Sequence, residues 1–390
     1  MKKALFDVVG GLFASSRKKD ARENGNAHMF AARFVVAMLL MGAVLVSASC
    51  SKKGAAAVAG NAQSLEKFNI IADPNITSNP LAIIARERGY FQEEGLDPNF
   101  IFLRDGRTEA LSTGRGDIYL EELIPPLVYA SQGADVRIIG GALSGGNYVI
   151  TKPENAQKYA RLEDWTGARL GTVRLSTSEM VSRYALGKTG LDLNNDVTFQ
   201  EIDSYPNIIE AVRKGQVDIG FIAGGPYRKS ALELGLSILF PMNYMSQNYL
   251  CCRLNAYKPS LEAKRDAFVK FLQAYLRAYK DFNDLAQRDE IVKMFADLTS
   301  QAEEFVVEMV FDRSVNGERS YNPDPDLGRV INVWDTLIAT DYIHPEGIAI
   351  KDVVDITVYK EALDNIVRRY PGETLFTELV QYYEENDLNI

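Results

Sequence analysis

The sequence predicts an α/β fold organised as two compact units, on three observations. From Phe68 onward, short apolar runs of strand length alternate with longer amphipathic segments, as a parallel sheet with covering helices requires. A predicted N-terminal leader leaves 341 residues, and a chain of that length favours two units over one. Beyond Pro259 the strand pattern stops, and long helical patterns follow.

The leader is predicted from an uninterrupted apolar run, Phe34 to Val46, which follows Arg33 and precedes the small residues 47–49. A membrane-spanning helix needs about 20 apolar residues, whereas a secretory signal needs an apolar core of roughly 7–15 after a positive charge. We therefore expect residues 1–49 to be a signal peptide, with translation starting at Met29.

The small residues end at Cys50, and this arrangement resembles a bacterial lipobox, although Ser47 stands where that pattern usually has leucine. The resemblance implies that Cys50 is lipidated and that residues 50–65, rich in alanine and glycine, are a flexible tether. The alternative is a plain signal peptide followed by an ordinary cysteine. We expect an exported protein of the cell envelope whose only membrane contact is the lipid anchor.

Charge and cysteine content narrow the classes of partner and cofactor. Removing residues 1–49 takes out seven basic and three acidic residues, which lowers the net charge from −9 to −13, and such a surface repels nucleic acid.

Cys251 and Cys252 are adjacent, so in a strand they would point to opposite faces, and a disulfide between them would strain the backbone. We expect two buried, unbridged cysteines. No CxxC spacing or supporting histidine is present, so no metal site and no cofactor are predicted.

The apolar runs and the turn residues between them predict the elements in chain order. The predicted strands are Phe68–Ala72, Phe100–Leu103, Ile118–Leu120, Val136–Gly140, Arg169–Thr172, Val197–Ile202, Ile219–Ala223 and Ile238–Phe240. Asn79-Pro80 is typical of a capped helix start, and Ser176 begins a second one. Further helices are predicted over Leu261–Ala286, Glu303–Phe311 and Leu327–Ala339.

Residues 69–97 then suggest a family, because a strand, a polar loop, a helix, Gly89-Tyr90-Phe91 and Glu94-Gly95-Leu96 follow one another. This opening resembles that of the periplasmic binding proteins for sulfonates, nitrate and thiamine-precursor pyrimidines. Three later stretches agree in order and spacing, namely residues 111–117, 162–172 and 212–220.

The resemblance implies a type II periplasmic binding protein fold, in which two lobes are joined by two crossing strands and the ligand lies in the cleft. We expect the crossings near Tyr148–Thr151 and Asn243–Tyr249. The lobes would then be discontinuous, with residues 66–148 plus 249–390 in lobe 1 and residues 149–248 in lobe 2. Gly145-Gly146 would serve as a hinge.

Ligands of open α/β sheets bind beyond the carboxyl ends of the strands, where helix N-termini converge. Four loops meet this rule, namely residues 75–79, 119–122, 175–178 and 223–227. Tyrosines near the crossings would add aromatic walls to the cleft. The candidate ligand-binding residues are Asn75, Thr77, Ser78, Asn79, Glu121, Glu122, Tyr148, Ser176, Thr177, Ser178, Gly224, Gly225, Tyr227 and Tyr249. Helix capping is the alternative for the polar residues of the first and third loops, and ordinary packing is the alternative for the tyrosines.

Glu121 and Glu122 carry the most information on the ligand. A desolvated carboxylate repels an anion, so a carboxylate facing the cleft favours a ligand with amino or hydroxyl donors or a positive charge. The alternative is that both are solvated or cap the helix at Ile124.

Together, the two resemblances imply a substrate-binding lipoprotein of an ABC importer, a monomer that captures a small organic metabolite. A pyrimidine, a vitamin precursor or another donor-rich heteroaromatic is favoured, with permease and ATPase subunits as partners. The alternatives are sulfonate, taurine or nitrate binding by the same fold, a lipoprotein that only meets a surface partner, and a pyrimidine-synthase-like enzyme. No catalytic residue is predicted, because the histidines are His28 and His344 alone and no nucleotide or acyl-transfer motif is present.

Overall fold

The strands of the structure, a computed structural model, form two five-stranded sheets and one small ribbon. The structure describes residues 64–311 and 319–388, so the predicted signal peptide, Met29 and Cys50 lie outside the described residues. The strands are β1 (Glu66–Ala72), β2 (Leu96–Phe102), β3 (Ile118–Tyr119), β4 (Val136–Gly141), β5 (Leu143–Ser144), β6 (Asn147–Thr151), β7 (Arg169–Thr172), β8 (Thr198–Glu201), β9 (Ile219–Ala223), β10 (Ser237–Pro241), β11 (Arg253–Tyr257) and β12 (Ser320–Tyr321).

The first sheet has the strand order β2-β1-β3-β11-β4, and the second has the order β10-β6-β9-β7-β8. In the first sheet β1 runs parallel to β2 and β3, while β11 runs antiparallel to β3 and β4. In the second sheet β7 runs parallel to β8 and β9, while β6 runs antiparallel to β9 and β10. Each reversed strand is therefore the first one that the chain enters after leaving the other sheet.

Two connections carry the chain between the sheets. Residues 142–146 lead from β4 to β6, so Tyr148–Thr151, predicted as the crossing, already belongs to the second sheet. Residues 242–252 return the chain from β10 to β11. The two connections pair with each other, since Gly145 N donates to the Tyr249 carbonyl at 3.0 Å and Asn147 N donates to Tyr249 Oη at 2.8 Å. The lobe boundaries themselves stay a prediction.

Helices follow most strands of the two large sheets, and several more close the C-terminal part. They are α1 (Pro80–Glu87), α2 (Tyr90–Glu93), α3 (Arg107–Ser112), α4 (Ile124–Ser131), α5 (Thr177–Lys188), α6 (Tyr205–Lys214), α7 (Pro226–Glu233), α8 (Lys258–Ala263), α9 (Arg265–Asn283), α10 (Arg288–Thr299), α11 (Glu303–Val306), α12 (Leu327–Ala339), α13 (Ile356–Arg369) and α14 (Thr374–Tyr383). Wider π-type turns extend α11 over Val307–Phe311 and α14 over Glu384–Leu388. None of the described helices is long and apolar enough to cross a membrane.

The first sheet is covered by α1 and α9, whose apolar faces bury an aromatic cluster. The ring of Phe271 stacks on Phe68 with 5.4 Å between centroids and on Phe91 with 5.3 Å, and Phe268 meets Phe68 edge-on at 4.9 Å. All four rings are inaccessible to solvent. Each such ring removes a large apolar area from water, and the offset contacts add about 0.5–1.5 kcal/mol per pair. This packing fixes β1, whose carboxyl end reaches the site described below.

The helical stretch predicted over Leu261–Ala286 is divided in the structure. Lys264, at φ −141° and ψ 48°, separates α8 from α9, and α9 ends before residue 286. The prediction over Leu327–Ala339 agrees with α12, whereas α13 and α14 were not predicted.

The prediction that Cys251 and Cys252 point to opposite faces is wrong. Both residues precede β11, and the amides of both donate to the Leu143 carbonyl, at 3.1 and 2.9 Å. Two residues opposite one is the pattern of a β-bulge, which re-aims a side chain, and the two sulfur atoms lie 3.5 Å apart. Both thiols are free.

Candidate functional site

A cavity of about 940 Å³ lies between the two large sheets. Its wall receives residues that follow three parallel strands of the first sheet and three of the second, namely β1, β2, β3, β7, β8 and β9. Asn147 at the start of β6 and Cys251 of the second connection also line it, and residues between Leu298 and Met309 close a third side. The carboxyl ends of parallel strands are the usual ligand position in open α/β sheets.

The first sheet contributes an ion-pair network centred on Arg107, the first residue of α3. Arg107 pairs with Asp73, and its Nη2 donates to Glu122 Oε1 at 3.0 Å. Tyr119 Oη donates to Glu122 Oε2 at 2.6 Å and accepts from Arg107 Nε at 3.1 Å. The Arg107 side chain is 13% exposed. Burial opposes its charge, but Tyr119 and the neighbouring carboxylates outweigh this effect and raise the Arg107 pKa. We call these four residues the Arg107 network.

Glu121 lies behind this network and does not line the cavity. Its side chain is buried, accepting from Asp73 N at 2.9 Å and from Ser78 Oγ at 3.1 Å. Burial, together with the charge of Asp73, raises the pKa of Glu121 to about 8. Glu122 instead faces the cavity and has a φ of 41°, a strained value for a residue with a side chain. The two adjacent glutamates therefore have separate roles.

The second sheet contributes helix N-termini, hydroxyls and rings. Ser176 caps α5 by accepting from Glu179 N at 3.1 Å, and Thr177 follows it in the cavity wall. The rings of Tyr205 and Tyr227 meet at 5.1 Å between centroids, and burial raises the pKa of both phenols. Amide groups at a helix N-terminus attract the negative end of a ligand, and tyrosine rings stack on planar groups.

Two glycines bring α7 into place beside the connections. A Cβ on Gly224 would lie 2.6 Å from the backbone oxygen of Gly146, so no side chain fits there. Gly225 has φ 64° and ψ −132°, a conformation essentially restricted to glycine. Pro226 then begins α7 without needing an amide donor.

The third side of the cavity comes from α10 and α11, which the sequence did not connect with binding. Arg228 Nη1 of α7 donates to Glu308 Oε1 at 2.6 Å, and Lys229 Nζ lies 4.7 Å from the centroid of Phe305. These contacts join the second sheet's helix to the C-terminal helices.

The charges that line the cavity nearly balance. The cationic side chains are Arg104, Arg107, Arg174 and Lys229, and the acidic ones are Asp73, Asp105, Glu122, Asp203 and Glu233. The single positive charge of Arg107 balances only one of the two negative charges of its partners Asp73 and Glu122. The surplus negative charge of the cavity therefore lies at the Arg107 network. Within residues 64–311 and 319–388, no group of three or more His, Cys, Asp or Glu side chains is arranged to hold a metal ion.

The structure places six of the predicted ligand-binding residues in the cavity wall, namely Asn75, Thr77, Glu122, Ser176, Thr177 and Tyr227. The others lie behind the wall or beside it, and they are Ser78, Asn79, Glu121, Tyr148, Ser178, Gly224, Gly225 and Tyr249. Asn79 is occupied by helix capping and by a hydrogen bond to the Leu120 carbonyl at 2.9 Å. Ser178 is fully buried against Ser176, and Tyr148 packs under Arg228.

Sequence reasoning missed Arg107, Arg174, Tyr205 and the residues of α10 and α11. Arg107 follows the strand β2, Arg174 follows β7 and Tyr205 follows β8, so the rule on carboxyl ends could have found all three. The contribution of α10 and α11 has no counterpart in that rule, because it depends on how the C-terminal helices fold back.

Solved structures of periplasmic binding proteins share this fold. The ligand-binding component of an ABC-type import system from Staphylococcus aureus, solved with zinc bound, aligns with a TM-score of 0.61 and 16% identity, over 76% of this chain and 99% of that one. The nitrate-binding protein NrtA from Synechocystis PCC 6803 aligns with a TM-score of 0.65 and 13% identity, over 81% and 92%. The predicted α/β fold of the periplasmic binding proteins is thus confirmed.

The family described as NMT1/THI5 like matches residues 77–305, more than half of the chain, and the protein belongs to that family. A curated relative is YtlA of Bacillus subtilis (strain 168), which carries the provisional name of a binding protein and is 23% identical over 266 residues, 65% of this chain and 76% of YtlA. The desulfurization enzyme DSZB also shares the fold, with a TM-score of 0.55 and 14% identity over 76% of this chain and 99% of that one. The fold alone therefore does not separate binders from enzymes.

Proposed function

We propose that this protein is the solute-binding subunit of an ABC importer and has a binding role rather than a catalytic one. The observation that carries this proposal is the single cavity that receives the carboxyl ends of three strands from each large sheet. In the proposed mechanism, residues 66–148 plus 249–390 and residues 149–248 act as two lobes that close on the ligand. The curated relative and the solved ligand-binding component of an ABC-type import system support a binding protein, and we propose permease and ATPase subunits as its partners.

The proposed ligand is a small organic metabolite with hydrogen-bond donors or a positive charge at one end and a planar group at the other. The donor end would face the Arg107 network, where Asp73 and Glu122 together exceed the charge of Arg107. The planar end would lie against Tyr205 and Tyr227, which supply apolar ring surface. A thiamine-precursor pyrimidine is one molecule of this class.

A second candidate, a sulfonate, taurine or nitrate, is favoured by one observation. Arg104 and Arg174 both line the cavity, and neither forms an ion pair with any residue that the structure describes. Solved relatives include an aliphatic sulphonate-binding protein of Escherichia coli with a TM-score of 0.58 and 16% identity, over 75% of this chain and 92% of that one. We rank this candidate second because Asp105 and Asp203 balance the two arginines in the same wall.

Thermal and chemical unfolding with a panel of pyrimidines, flavins, amines, sulfonates and nitrate tests the proposal. A true ligand at a hundredfold excess over its dissociation constant should stabilise the protein by about 2.7 kcal/mol. Replacing Tyr205 and Tyr227 together with alanine should weaken binding of a planar ligand at least tenfold, about 1.4 kcal/mol. Tyr244→Ala is the matched control, because Tyr244 is 61% exposed and does not line the cavity.

The possible outcomes separate the candidates. Stabilisation by a sulfonate or nitrate, lost in Arg174→Gln and retained in the tyrosine variant, would establish the second candidate. If no compound of any class stabilises the protein, the importer proposal is wrong.

We also propose that the chain is exported with residues 1–49 as its signal peptide and held to the membrane by a lipid on Cys50. The support is the sequence pattern alone, because these residues lie outside the described ones. Mass spectrometry of the N-terminal peptide from membranes of a bacterial host should show a diacylglyceryl group on Cys50. If the protein is cleaved and exported but Cys50 is unmodified, the lipid anchor is wrong and the alternative of a plain signal peptide followed by an ordinary cysteine is correct.

A further inference from the structure

Cys251 and Cys252 lie where the two connections between the sheets run side by side. The bulge at Leu143 turns both thiols to the same side, and their sulfur atoms lie 3.5 Å apart. Cys251 lines the cavity and is partly exposed, whereas Cys252 is 6% exposed. The pair therefore has one sulfur that a reagent in the cavity can reach and a second sulfur directly behind it.

We propose that Cys251 and Cys252 are a redox-active pair, which an oxidant of the disulfide class converts into a vicinal disulfide in the wall of the cavity. A disulfide needs about 2.05 Å between sulfur atoms, so the two thiols have to approach by roughly 1.5 Å. Adjacent Cα atoms are about 3.8 Å apart across a trans peptide, below the usual disulfide range of about 4.4–6.8 Å. The bond is consequently strained, and strained disulfides are the ones that are easily reduced again.

The two cysteines have different roles in this reaction. A hydrogen bond from Cys252, assisted by the charge of Arg319, lowers the pKa of the Cys251 thiol. The same contact and burial raise the pKa of the Cys252 thiol. Because the thiolate is the nucleophile, Cys251 is the attacking residue and Cys252 the resolving one.

The reaction proceeds in two exchanges. The Cys251 thiolate attacks one sulfur of the oxidant's disulfide, forming a mixed disulfide and releasing the first oxidant thiol. The Cys252 thiolate then attacks Cys251 Sγ, forming the vicinal bond and releasing the second oxidant thiol. Two electrons pass from the protein pair to the oxidant, and the two protons of the cysteine thiols end on the two released thiols.

The position of the pair links this chemistry to the start of α5 in the cavity wall and to the connection formed by residues 142–146. The Cys251 carbonyl accepts a hydrogen bond from Thr177 Oγ1, at the start of α5, at 3.3 Å. The Cys251 and Cys252 amides donate to the carbonyl of Leu143, the first residue of β5, which lies in the connection formed by residues 142–146. When the disulfide forms, the strained peptide between the two cysteines should change the geometry of the hydrogen bonds to Thr177 and to Leu143. The inference does not depend on the proposed importer function.

The full-length protein, reduced and then exposed to oxidised glutathione at mildly alkaline pH, provides the test. After alkylation of remaining thiols, trypsin releases residues 230–253 as one peptide that contains both cysteines and excludes Cys50. We expect this peptide to be unalkylated and lighter than its reduced form by two hydrogen atoms, and to regain both thiols after treatment with dithiothreitol.

Two variants assign the order of steps. Cys252→Ala should lose the lighter peptide completely and keep one glutathione on Cys251, because nothing resolves the mixed disulfide. Cys251→Ala should leave Cys252 without glutathione. A wild-type peptide that carries two glutathiones, that remains alkylated on both thiols, or that is linked to Cys50 or to a second chain would overturn the proposal. These masses are read without any ligand, so a failure of the importer proposal would leave the result unaffected.

Discussion

The wall of the cavity supplied by the first sheet is held by ion pairs, whereas the wall supplied by the second sheet presents hydroxyls, rings and helix N-termini. In the Arg107 network each charged group already has a partner within the protein. In the second wall the rings of Tyr205 and Tyr227 contact each other, Thr177 donates to the Cys251 carbonyl, and all three residues line the cavity. The first wall is thus preorganised by electrostatics, and the second by backbone geometry.

Because of this difference, we expect substitutions in the two walls to affect stability and ligand binding in different proportions. Loss of a charge in the first wall leaves partly buried partners without compensation, which affects stability and binding together. A change in the second wall mainly alters the position of a helix start or of a ring, which affects binding with a smaller change in stability.

The largest expected effect is that of Arg107→Ala, which leaves Asp73 and Glu122 facing each other without the guanidinium. The Arg107 side chain is 13% exposed, but its partners Asp73 and Glu122 are 29% and 40% exposed. The cost should therefore lie between the roughly 0–1 kcal/mol of an exposed pair and the about 3–5 kcal/mol of a fully buried one. Urea unfolding should show a loss between these limits, with ligand binding abolished. Arg213→Ala, which removes an exposed pair with Glu210, is the control and should unfold like the wild type. Equal free energies of unfolding for the two variants would show that the network is solvated.

The second effect is a pH dependence that originates in Glu121, directly behind the first wall. Glu121 stays protonated in the folded protein up to about pH 8, whereas its ordinary pKa is 4.5. Over this window the unfolded chain binds fewer protons, so the free energy of unfolding falls as pH rises, by at most about 1.4 kcal/mol per unit for this group.

Glu121→Gln isolates that contribution from the buried carboxyl Asp324, whose pKa is also raised to about 8 by burial and by Asp387. Urea titrations between pH 5 and 8 should give a flatter stability profile for the variant than for the wild type. Parallel profiles would mean that Glu121 is ionised in the folded protein.

The third effect concerns the backbone of the second wall. Gly224→Ala places a methyl group 2.6 Å from the Gly146 oxygen, so the connection or α7 has to move. Overpacking of this kind costs about 1–3 kcal/mol, and the thermal midpoint should fall accordingly. Gly187→Ala in α5 is the control, because its Cβ meets no atom within 4 Å and alanine favours a helix. An unchanged Gly224→Ala protein would show that the loop before α7 is not in close contact with Gly146.

The smallest expected effect distinguishes two serines that both precede helices in the second wall. Ser176→Ala removes the hydrogen bond to Glu179 N and should destabilise the protein by about 1 kcal/mol. Ser204 precedes α6 without any side-chain cap bond, so Ser204→Ala should have a smaller effect on the same urea midpoint. A larger loss in Ser204→Ala would contradict the assignment of the cap.

The sequence by itself determined the class of fold and most strands of the two large sheets, because strands buried on both faces are apolar throughout and glycines or polar residues end them. It also pointed to four loops that follow parallel strands, and residues of all four line the cavity, since parallel strands share one edge. Arg169–Thr172 and Ile219–Ala223 agree with β7 and β9 at both ends.

Only the tertiary structure decided which side chains of those loops face the cavity. Glu121 and Glu122 differ because φ is positive at Glu122, and no periodicity predicts such a value. Cys251 and Cys252 share one side because Leu143, more than a hundred residues away in sequence, offers one carbonyl to two amides. The third wall exists because α10 and α11 fold back on α7. Such contacts join distant segments, and their geometry is not encoded in any local pattern.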